Sequence, residues 1–312
     1  MTTVVSGLTR DLTDPDEAVR RHAAEDLADL REPAAVVALV SALSDPSAAV
    51  RESVVDALVA VGGEETATAI LPALSSENPA RRNAASEALR GIGVAAIGPL
   101  EHTILTGERD ARLFALDVLG LIGGPGAGKV LPVALRDPDP NVAAAAATAL
   151  GRVGGPGAVP DLVAALAVDP WVRCAAATSL GRIGGPAATA ALIGLLGDPD
   201  ETVAYVSAQA LGECGGSVAV APLAAATGYQ SVALALTALD ALDRVAERLT
   251  AAEVEALRDR VRLGPVRAAL STDDRAVHSQ AVRVLGRLSA KGAGDSKYIP
   301  PGVRAPGAQG GG

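Results

Sequence analysis

A leucine recurs along the chain at intervals of 30 or 31 residues, and this recurrence constrains the fold more than any other feature. The recurring leucines are Leu27, Leu58, Leu89, Leu119, Leu150, Leu180 and Leu211. Residues four and eight positions before each leucine are mostly small or apolar, as Val54 and Val50 are before Leu58. These spacings place side chains on one face of a helix. A fixed period of this length predicts a repeat protein whose units stack on one another.

Each unit is predicted to form a helix, a turn and a second helix. Glycine pairs follow the first helix in most units, and glycine adopts the left-handed conformation that ends a helix. The pairs are Gly62–Gly63, Gly123–Gly124, Gly154–Gly155, Gly184–Gly185 and Gly215–Gly216. Second helices carry apolar pairs four apart, such as Leu39 and Leu43. An Asp-Pro pair opens the following unit, where the Asp is predicted to cap and the Pro to preset the helix start. The Asp residues are Asp14, Asp45, Asp137, Asp169 and Asp198.

The amino-acid composition agrees with thin, closely packed helices and argues against nucleic acid as a partner. One Phe, one Trp and three Tyr stand among 49% hydrophobic residues, so Ala, Val and Leu must fill the interior. The net charge of -9 repels a phosphate backbone, so we expect no nucleic-acid partner.

The sequence also bears on location. The uncharged stretch between Glu213 and Asp240 is interrupted by Gly215–Gly216, Pro222 and Gly228, so we expect no membrane span. No signal sequence is visible at the start, which favours the cytoplasm. Scarce Lys with abundant Ala and Arg favours a prokaryotic source.

The running pattern D-P-x-x-x-V-R-x-x-A-A-x-x-L-G-x-I-G-G, visible from about residue 11 to 226, resembles the short HEAT-like repeat named after phycobilisome lyases. The resemblance implies an all-α solenoid, a right-handed superhelix of stacked antiparallel helix pairs. The period gives about eight to nine repeats of ~31 residues. The family also implies that the second helices line the inner face of the superhelix.

The predicted organisation has three parts. Residues 1–226 hold seven regular repeats, residues 227–290 hold irregular C-terminal repeats and a cap, and residues 291–312 form a disordered tail. Leu242 is an eighth anchor, and the next clear one, Leu285, follows 43 residues later. Between them, Thr250 and Glu253 have the spacing of a capping box that opens a charged helix through Arg262.

One segment is similar to a phosphate-binding loop, Gly123 to Lys129 with the sequence GGPGAGK. Such a loop follows a strand and continues with a hydroxyl residue that binds magnesium. Here the next residue is Val130, and the register places a helix before the loop. We interpret the segment as a turn and expect no nucleotide cofactor.

Histidine and cysteine give no sign of a catalytic or metal site. His22, His102 and His278 lie in distant units, and none is followed by Glu, as in the His-Glu dyads of the deoxyhypusine hydroxylases, which are HEAT-like iron enzymes. Cys214 occupies a position filled elsewhere by Leu, Val or Ile, so it is predicted to be a small buried hydrophobic residue.

Arginine recurs directly after the valine position of the repeat, at Arg20, Arg51, Arg82, Arg112 and Arg173. A row of guanidinium groups is able to bind carboxylates or phosphates. We predict a structural role instead, with each arginine tying neighbouring units through aspartate or helix-end carbonyls, because Ala143 and Ala204 interrupt the row.

The outward face of the first helices changes character along the chain. Positions six and two before each anchor leucine share this face. They hold Glu52 and Asp56 in an early unit. Later the first position holds Leu113, Ala144, Cys174 and Tyr205, and the second holds Asp117, Thr148, Thr178 and Gln209. The predicted partner-binding residues are Leu113, Phe114, Trp171 and Tyr205. Covering of this face by the tail or the terminal helices, or self-association, is the alternative.

These observations predict a non-enzymatic protein–protein interaction scaffold or adaptor, with no catalytic group, metal or cofactor and another protein as its partner. The alternative is a phycobilin lyase-like protein or a phycobilisome-degradation factor that binds a bilin and a phycobiliprotein, which rests on the resemblance alone. A HEAT-like DNA glycosylase needs a basic groove, whereas Glu64, Glu65, Glu101 and Asp161 outnumber Lys129 and Arg136 on the second helices.

Overall fold

Helices are the only regular elements in the part of the chain that the structure, a computed structural model, describes: residues 2–124, 126–228, 231–258, 261 and 263–292. The α-helices are α1 Thr2–Asp11, α2 Glu17–Leu30, α3 Pro33–Ala42, α4 Ala48–Val61, α5 Gly63–Ile70, α6 Pro79–Ile92, α7 Ile97–Thr106, α8 Arg109–Ile122, α9 Leu131–Ala134, α10 Pro140–Val153, α11 Val159–Ala165, α12 Pro170–Ile183, α13 Pro186–Gly194, α14 Glu201–Cys214, α15 Ser217–Ala226, α16 Val232–Arg248, α17 Ala251–Arg258, α18 Gly264–Ala268 and α19 Arg275–Gly292. Short 3-10 turns cover Leu71–Ser75, Gly93–Ala96, Gly155–Ala158, Leu195–Gly197 and Ala269–Ser271.

The chain divides into two units, residues 1–179 and 180–312. In the first unit, α2 packs on α4, α4 on α6, α6 on α8 and α8 on α10. In the second unit, α14 packs on α16, and α16 packs on α19. Each unit is therefore a stack of helix pairs, and the predicted all-α solenoid class is confirmed.

The seven recurring leucines form the seam of these stacks, because every one of them is at most 2% exposed. The second-helix residues Leu39, Leu43, Leu100 and Leu131 are buried as well, as the spacing of four predicted. At ~25 cal/mol per Å² of apolar surface, such burial is the main stabilising term of the fold. Because each seam joins neighbouring hairpins, no hairpin is stable alone.

Consecutive first helices touch through very small residues next to the anchor leucines. The contacts pair Gly120 with Ala149, Gly151 with Ser179, Gly181 with Ala210 and Gly212 with Ala241. A Cβ atom added to Gly151 would lie 2.9 Å from the Cα of Ser179, closer than packed carbons approach. In these four pairs, the glycine of the repeat pattern therefore sets the spacing between neighbouring first helices.

The pair α4 and α6 makes its close contact with a different choice of residues. Val59 stands where later units have glycine, and Gly91 lies directly opposite its side chain. A Cβ on Gly91 would overlap the methyl groups of Val59. A large side chain on one helix is thus matched by a glycine on the other. Only the combined side-chain volume of the two helices is restricted at this contact.

The Asp-Pro pairs do not cap the first helices in most units, so that prediction was wrong in detail. The N-cap residues are Asp16, Ser47, Asn78, Asp139 and Asp200, and their side chains accept the backbone N–H groups of the first turn. The Asp of the pair lies two residues earlier and accepts the cap's own N–H, as Asp45 does from Ser47 at 2.8 Å. Only Asp169 directly precedes its helix, and it accepts the N–H of Trp171. The extra turn frees the other Asp carboxylates for contacts with the neighbouring unit.

The glycine pairs end the first helices, but only some adopt a positive φ. Gly62 and Gly123 have φ values of 62° and 61°, which any other residue adopts only with strain. At Gly215 the expectation was wrong, because its φ is -67°. Glycine is required there for space, since a Cβ would lie 2.9 Å from the Cβ of Ala219.

Arg20 and Arg112 link consecutive units through an aspartate, as predicted for the arginine row. Arg20 donates from Nε and Nη2 to the Asp45 carboxylate at 2.7 and 3.1 Å, and from Nη1 to the Asp14 carbonyl at 2.9 Å. Arg112 does the same with the Asp137 carboxylate and the Gly107 carbonyl, each at 3.0 Å. The carboxylate comes from the next unit, 25 residues later.

Arg51 retains only the carbonyl half of this arrangement. Its Nη1 donates to the Asp45 carbonyl at 2.7 Å. The residue 25 positions later is Ser76, so no carboxylate stands where Asp45 stands for Arg20. Among the described residues, Arg51 forms no ion pair.

The C-terminal part keeps the repeat register in part, with one inserted helix, because the predicted anchor Leu285 is only half-buried. Leu242 is buried in α16, and Val277 and Ala281 are buried at the valine and alanine positions of α19. The predicted capping box opens α17, because the Thr250 N–H donates to Glu253 Oε2 at 2.8 Å and the Glu253 N–H donates to Thr250 Oγ1 at 3.3 Å. Helix α17 ends at Arg258, and residues 259, 260 and 262 lie outside the described residues.

The predicted disordered tail, residues 291–312, falls almost entirely outside the described residues, which end at 292. Helix α19 continues to Gly292, two residues into that segment.

Replacing Gly151 by Ala tests the close contact between first helices. We expect Gly151→Ala to destabilise the protein by about 1–3 kcal/mol, because its Cβ forces α10 away from Ser179. Gly98→Ala in α7 is the control, since its Cβ would meet only the Glu64 Oε1 atom at 3.8 Å. The control should gain about 0.5–1 kcal/mol of helix propensity. Thermal denaturation followed by circular dichroism measures both, and an equal effect of the two variants would contradict the contact.

Ser76→Asp should complete the missing ion pair of Arg51. The new carboxylate would stand relative to Arg51 as Asp45 stands relative to Arg20, so we expect a gain of up to about 1 kcal/mol. Ser75→Asp adds the same charge at an exposed neighbouring position without a registered arginine. Urea denaturation of the two variants at low and high salt measures the difference, and a gain for Ser75→Asp equal to that for Ser76→Asp would argue against the pairing.

Candidate functional site

The predicted partner-binding residues lie on three first helices. Leu113 and Phe114 are in α8, and Trp171 is the second residue of α12, all within the first unit. Tyr205 is in α14 of the second unit, with 40% of its surface exposed. We therefore describe the first three residues as one surface and Tyr205 by itself.

Trp171 is the most exposed of these residues, with 70% of its surface accessible. Its position is fixed by the helix start, because Pro170 opens α12 and the Trp171 N–H donates to the Asp169 carboxylate at 2.9 Å. The exposed Val168 precedes it by three residues. A large indole held in water on a rigid helix is typical of a residue that binds another molecule.

Phe114 already has a partner within the chain. The guanidinium carbon of Arg82 lies 5.3 Å from the centroid of the Phe114 ring, within the range of a cation–π contact. Both Phe114 and Leu113 are half-buried. Because Phe114 is half-buried and one face of its ring contacts Arg82, it offers less accessible surface to a partner than Trp171 does.

Helix α10 lies between α8 and α12, and the outward residues in its middle carry no charge. Ala144, Ala145 and Thr148 are half-exposed. Gly120 and Gly151 bring α10 against its two neighbours, so the equivalent outward positions lie side by side. We define the mid-chain patch as Leu113, Ala144, Trp171 and Cys174. An ion pair of 2.9 Å between Asp117 and Arg152 joins α8 to α10 at the edge of this patch.

Sequence reasoning missed a second surface, formed by α1, α3 and α5. A groove of about 860 Å³ runs between α3 and α5 and is lined by Pro33, Val37, Glu64 and Glu65 among others. A groove of about 650 Å³ runs between α1 and α3. Val37 lines both and is 63% exposed. We call the two together the amino-terminal groove. Val37 lies two residues before the buried Leu39, so the helical period places it off the core face. This apolar residue at an outward position is the sequence feature that could have indicated the groove.

The segment that is similar to a phosphate-binding loop forms a turn. Helix α8 precedes it, Gly123, Gly124 and Gly126 have positive φ, and Lys129 is exposed. Pro125 lies outside the described residues.

Two histidines have local backbone partners. His22 Nδ1 lies 2.7 Å from the Ala18 carbonyl, and His278 Nδ1 lies 2.8 Å from the Leu270 carbonyl. Within the described part of the chain, no group of three or more His, Cys, Asp or Glu residues is arranged to hold a metal ion.

Cys214 is half-buried at the end of α14, and its Sγ lies 3.9 Å from Thr189 Oγ1. Burial raises the pKa of the Cys214 thiol, and the contact with Thr189 opposes this only in part. A raised pKa lowers the thiolate fraction at neutral pH, so the group is a weak nucleophile.

Comparison with known proteins identifies the family. A family model described as HEAT repeats matches residues 5–90, 102–171 and 167–243, which is most of the chain. The protein therefore belongs to the HEAT repeat family. The match does not separate the phycobilisome lyase-type subclass from other HEAT repeats, so that resemblance, and the bilin-binding alternative with it, stays a prediction.

The chain is also similar to the crystal structure of an engineered protein from a structural genomics consortium. The two are 23% identical, the alignment covers 92% of this chain and 89% of that one, and the TM-score is 0.48. None of the curated proteins matches the sequence. In the described ranges, no helix combines the length and the apolar character needed to cross a bilayer.

The two cysteines should differ in reactivity. We expect maleimide to label Cys174 faster than Cys214 at neutral pH, because the raised pKa of Cys214 leaves little thiolate. As pH rises, the labelling rate of Cys214 should increase at a higher pH than that of an ordinary exposed cysteine. Single Cys174→Ser and Cys214→Ser variants allow each rate to be measured by mass spectrometry, and a faster Cys214 would contradict the assignment.

Proposed function

We propose that this protein is a non-enzymatic scaffold or adaptor that binds a partner protein through the mid-chain patch. The observation that carries the proposal is Trp171, which is 70% exposed on a helix fixed by its neighbours. Binding energy at protein interfaces is concentrated in a few large side chains, with Trp prominent among them.

The stacking of repeats supports this function physically. Helix α10, at the centre of the patch, is held against α8 and α12 by contacts at Gly120 and Gly151, so its outward side chains are presented without a loss of backbone entropy on binding. The neutral alanine face of α10 removes the desolvation cost that charges would impose at the centre of an interface.

The charge distribution favours a protein over a nucleic acid as partner. Residues 1–179 contain 14 Lys and Arg and 23 Asp and Glu, so the whole net charge of -9 falls in the first unit. Such a surface repels a phosphate backbone. We propose a cytoplasmic, prokaryotic setting for this scaffold; scarce Lys with abundant Ala and Arg supports the prokaryotic source.

Trp171→Ser and Leu113→Asp should each weaken partner capture by about tenfold or more, since they remove apolar surface from a central contact or place a charge in it. Pull-down from an extract of the source cells with immobilised protein, quantified by mass spectrometry, measures the loss. Tyr205→Asp is made separately because Tyr205 lies in the second unit, and we expect it to weaken capture as well.

Val133→Asp is the matched control, since it puts a charge on an exposed apolar residue of α9, a second helix of the first unit, whereas the patch is formed by first helices. All variants should keep the wild-type helicity and melting temperature. If Trp171→Ser and Leu113→Asp capture the same proteins as the wild type, the patch is not the binding surface. Sedimentation of the wild type and Trp171→Ser reveals whether the patch joins two copies instead.

A further inference from the structure

The amino-terminal groove has the features of a peptide-binding surface that is separate from the mid-chain patch. It consists of two adjoining depressions of about 860 and 650 Å³ on either side of α3. Val37 projects between them with 63% of its surface in water. Val36 and Pro33 add apolar wall on the α3 side, and Thr68 and Ala69 on the α5 side. An extended or helical segment of another chain could lie along α3 and cover Val37.

The groove carries negative charge at its α5 side. Glu64 and Glu65 are exposed in the first turn of α5 and line the larger depression. Neither forms an ion pair among the described residues. Arg31 is the basic residue of the lining, so the carboxylates outnumber it.

The negative surface continues onto the next second helix. The Glu64 Oε1 atom lies 3.8 Å from the Cβ position of Gly98 in α7. Glu101 follows Gly98 by one helical turn, so the two positions share a face. The Glu101 Oε1 atom is buried and has no hydrogen-bond partner in the described part of the chain. This oxygen is closed to solvent, so Glu101 contributes negative charge near Glu64 rather than a contact made by that atom.

The first third of the chain as a whole is also negatively charged. Residues 1–106 contain 16 Asp and Glu and eight Arg, with no Lys. This is a net charge of -8 in the first third of the chain, and it would attract a basic segment from a distance and repel an acidic one.

Arg31, at the wall of the groove, has an unusual backbone conformation. It is the only described residue other than glycine with a positive φ, at 50°, and it stands where the next unit has Gly62. This backbone conformation is strained for a residue with a side chain, and glycine would avoid the strain.

We propose that the amino-terminal groove binds a segment of a partner protein that carries both cationic and apolar side chains, with an apolar side chain against Val37 and Lys or Arg side chains facing Glu64 and Glu65. The proposal rests on the scaffold function, and it adds a second surface with a defined partner chemistry. The apolar contact provides affinity, and the carboxylates select the sign of the partner's charge.

Fluorescence anisotropy with model peptides tests the groove on the full chain. The probe is a fluorescein-labelled amphipathic peptide of Lys and Leu, compared with one in which Glu replaces Lys and one in which Ser replaces Leu. We expect the Lys and Leu peptide to bind, with an affinity that falls as ionic strength rises. We expect the other two peptides to bind at least about tenfold more weakly.

Variants then locate the binding. Val37→Asp should weaken binding about tenfold, and the milder Val37→Ser and the double variant Glu64→Gln/Glu65→Gln about threefold or more. The matched control is Glu52→Gln/Asp56→Gln, which makes the same charge change on the exposed face of α4 in the same repeat. It should leave the affinity within about twofold, because those carboxylates are outside the groove. Helicity by circular dichroism confirms that each variant is folded.

Four results would overturn the proposal: no binding of the Lys and Leu peptide, equal binding of the Glu and Leu peptide, equal weakening by the control pair, or dimers in sedimentation that Val37→Asp dissociates. The last result would mean that a second copy occupies the groove. Trp171→Ser should retain the peptide, so failure of the groove and failure of the mid-chain patch are measured independently.

Discussion

The fold depends on the distance between consecutive first helices, which is set by how little side chain stands between them. At Gly151 and Ser179, the backbones approach until one further carbon atom would overlap. This spacing is required for the burial of the anchor leucines, for the arginine ion pairs and for the geometry of the turns. The Arg20 guanidinium reaches Asp45 in the next unit only because the two turns are brought together. Dispersion and burial over many such contacts replace the large aromatic core that this composition lacks.

The arginine row shows how the same spacing is stabilised with different chemistry along the stack. Arg20 and Arg112 reach a carboxylate of the next unit, whereas Arg82 reaches the face of Phe114. All three guanidinium groups also donate to carbonyl oxygens at the turn of their own unit. The carbonyl contact is therefore the constant element, and the contact with the next unit varies.

The fold was predictable from the sequence because the repeat period and the helical period act together. The leucines at 27 and 58 and the pair Leu39 and Leu43 are buried as their spacing predicted. Local geometry was less predictable. Whether Asp45 caps a helix or bridges a turn depends on one extra residue, Ser47, which is itself a good cap. The role of the glycine after the anchor leucine depends on a neighbouring unit, which no local pattern describes.

The candidate surfaces were predictable to different degrees for a physical reason. Trp171 stands out in a sequence with few aromatic residues, and its exposure follows from the outward helical position. The predicted role of the patch stays a prediction. The amino-terminal groove was not visible, because a groove is the space between two second helices and its walls are ordinary residues such as Val37 and Ala69. Exposure of one residue follows from periodicity, whereas concavity follows only from the packing of several helices.

The solitary indole of this protein is placed where it is most informative. Trp171 is the single tryptophan of the chain, so the indole emission of the whole molecule originates at the mid-chain patch. Because this ring is largely hydrated in the folded state, heating or urea changes its surroundings little. A protein that covers the ring changes them greatly. The wavelength of the tryptophan emission is therefore expected to change little on unfolding and to respond to occupancy of one surface.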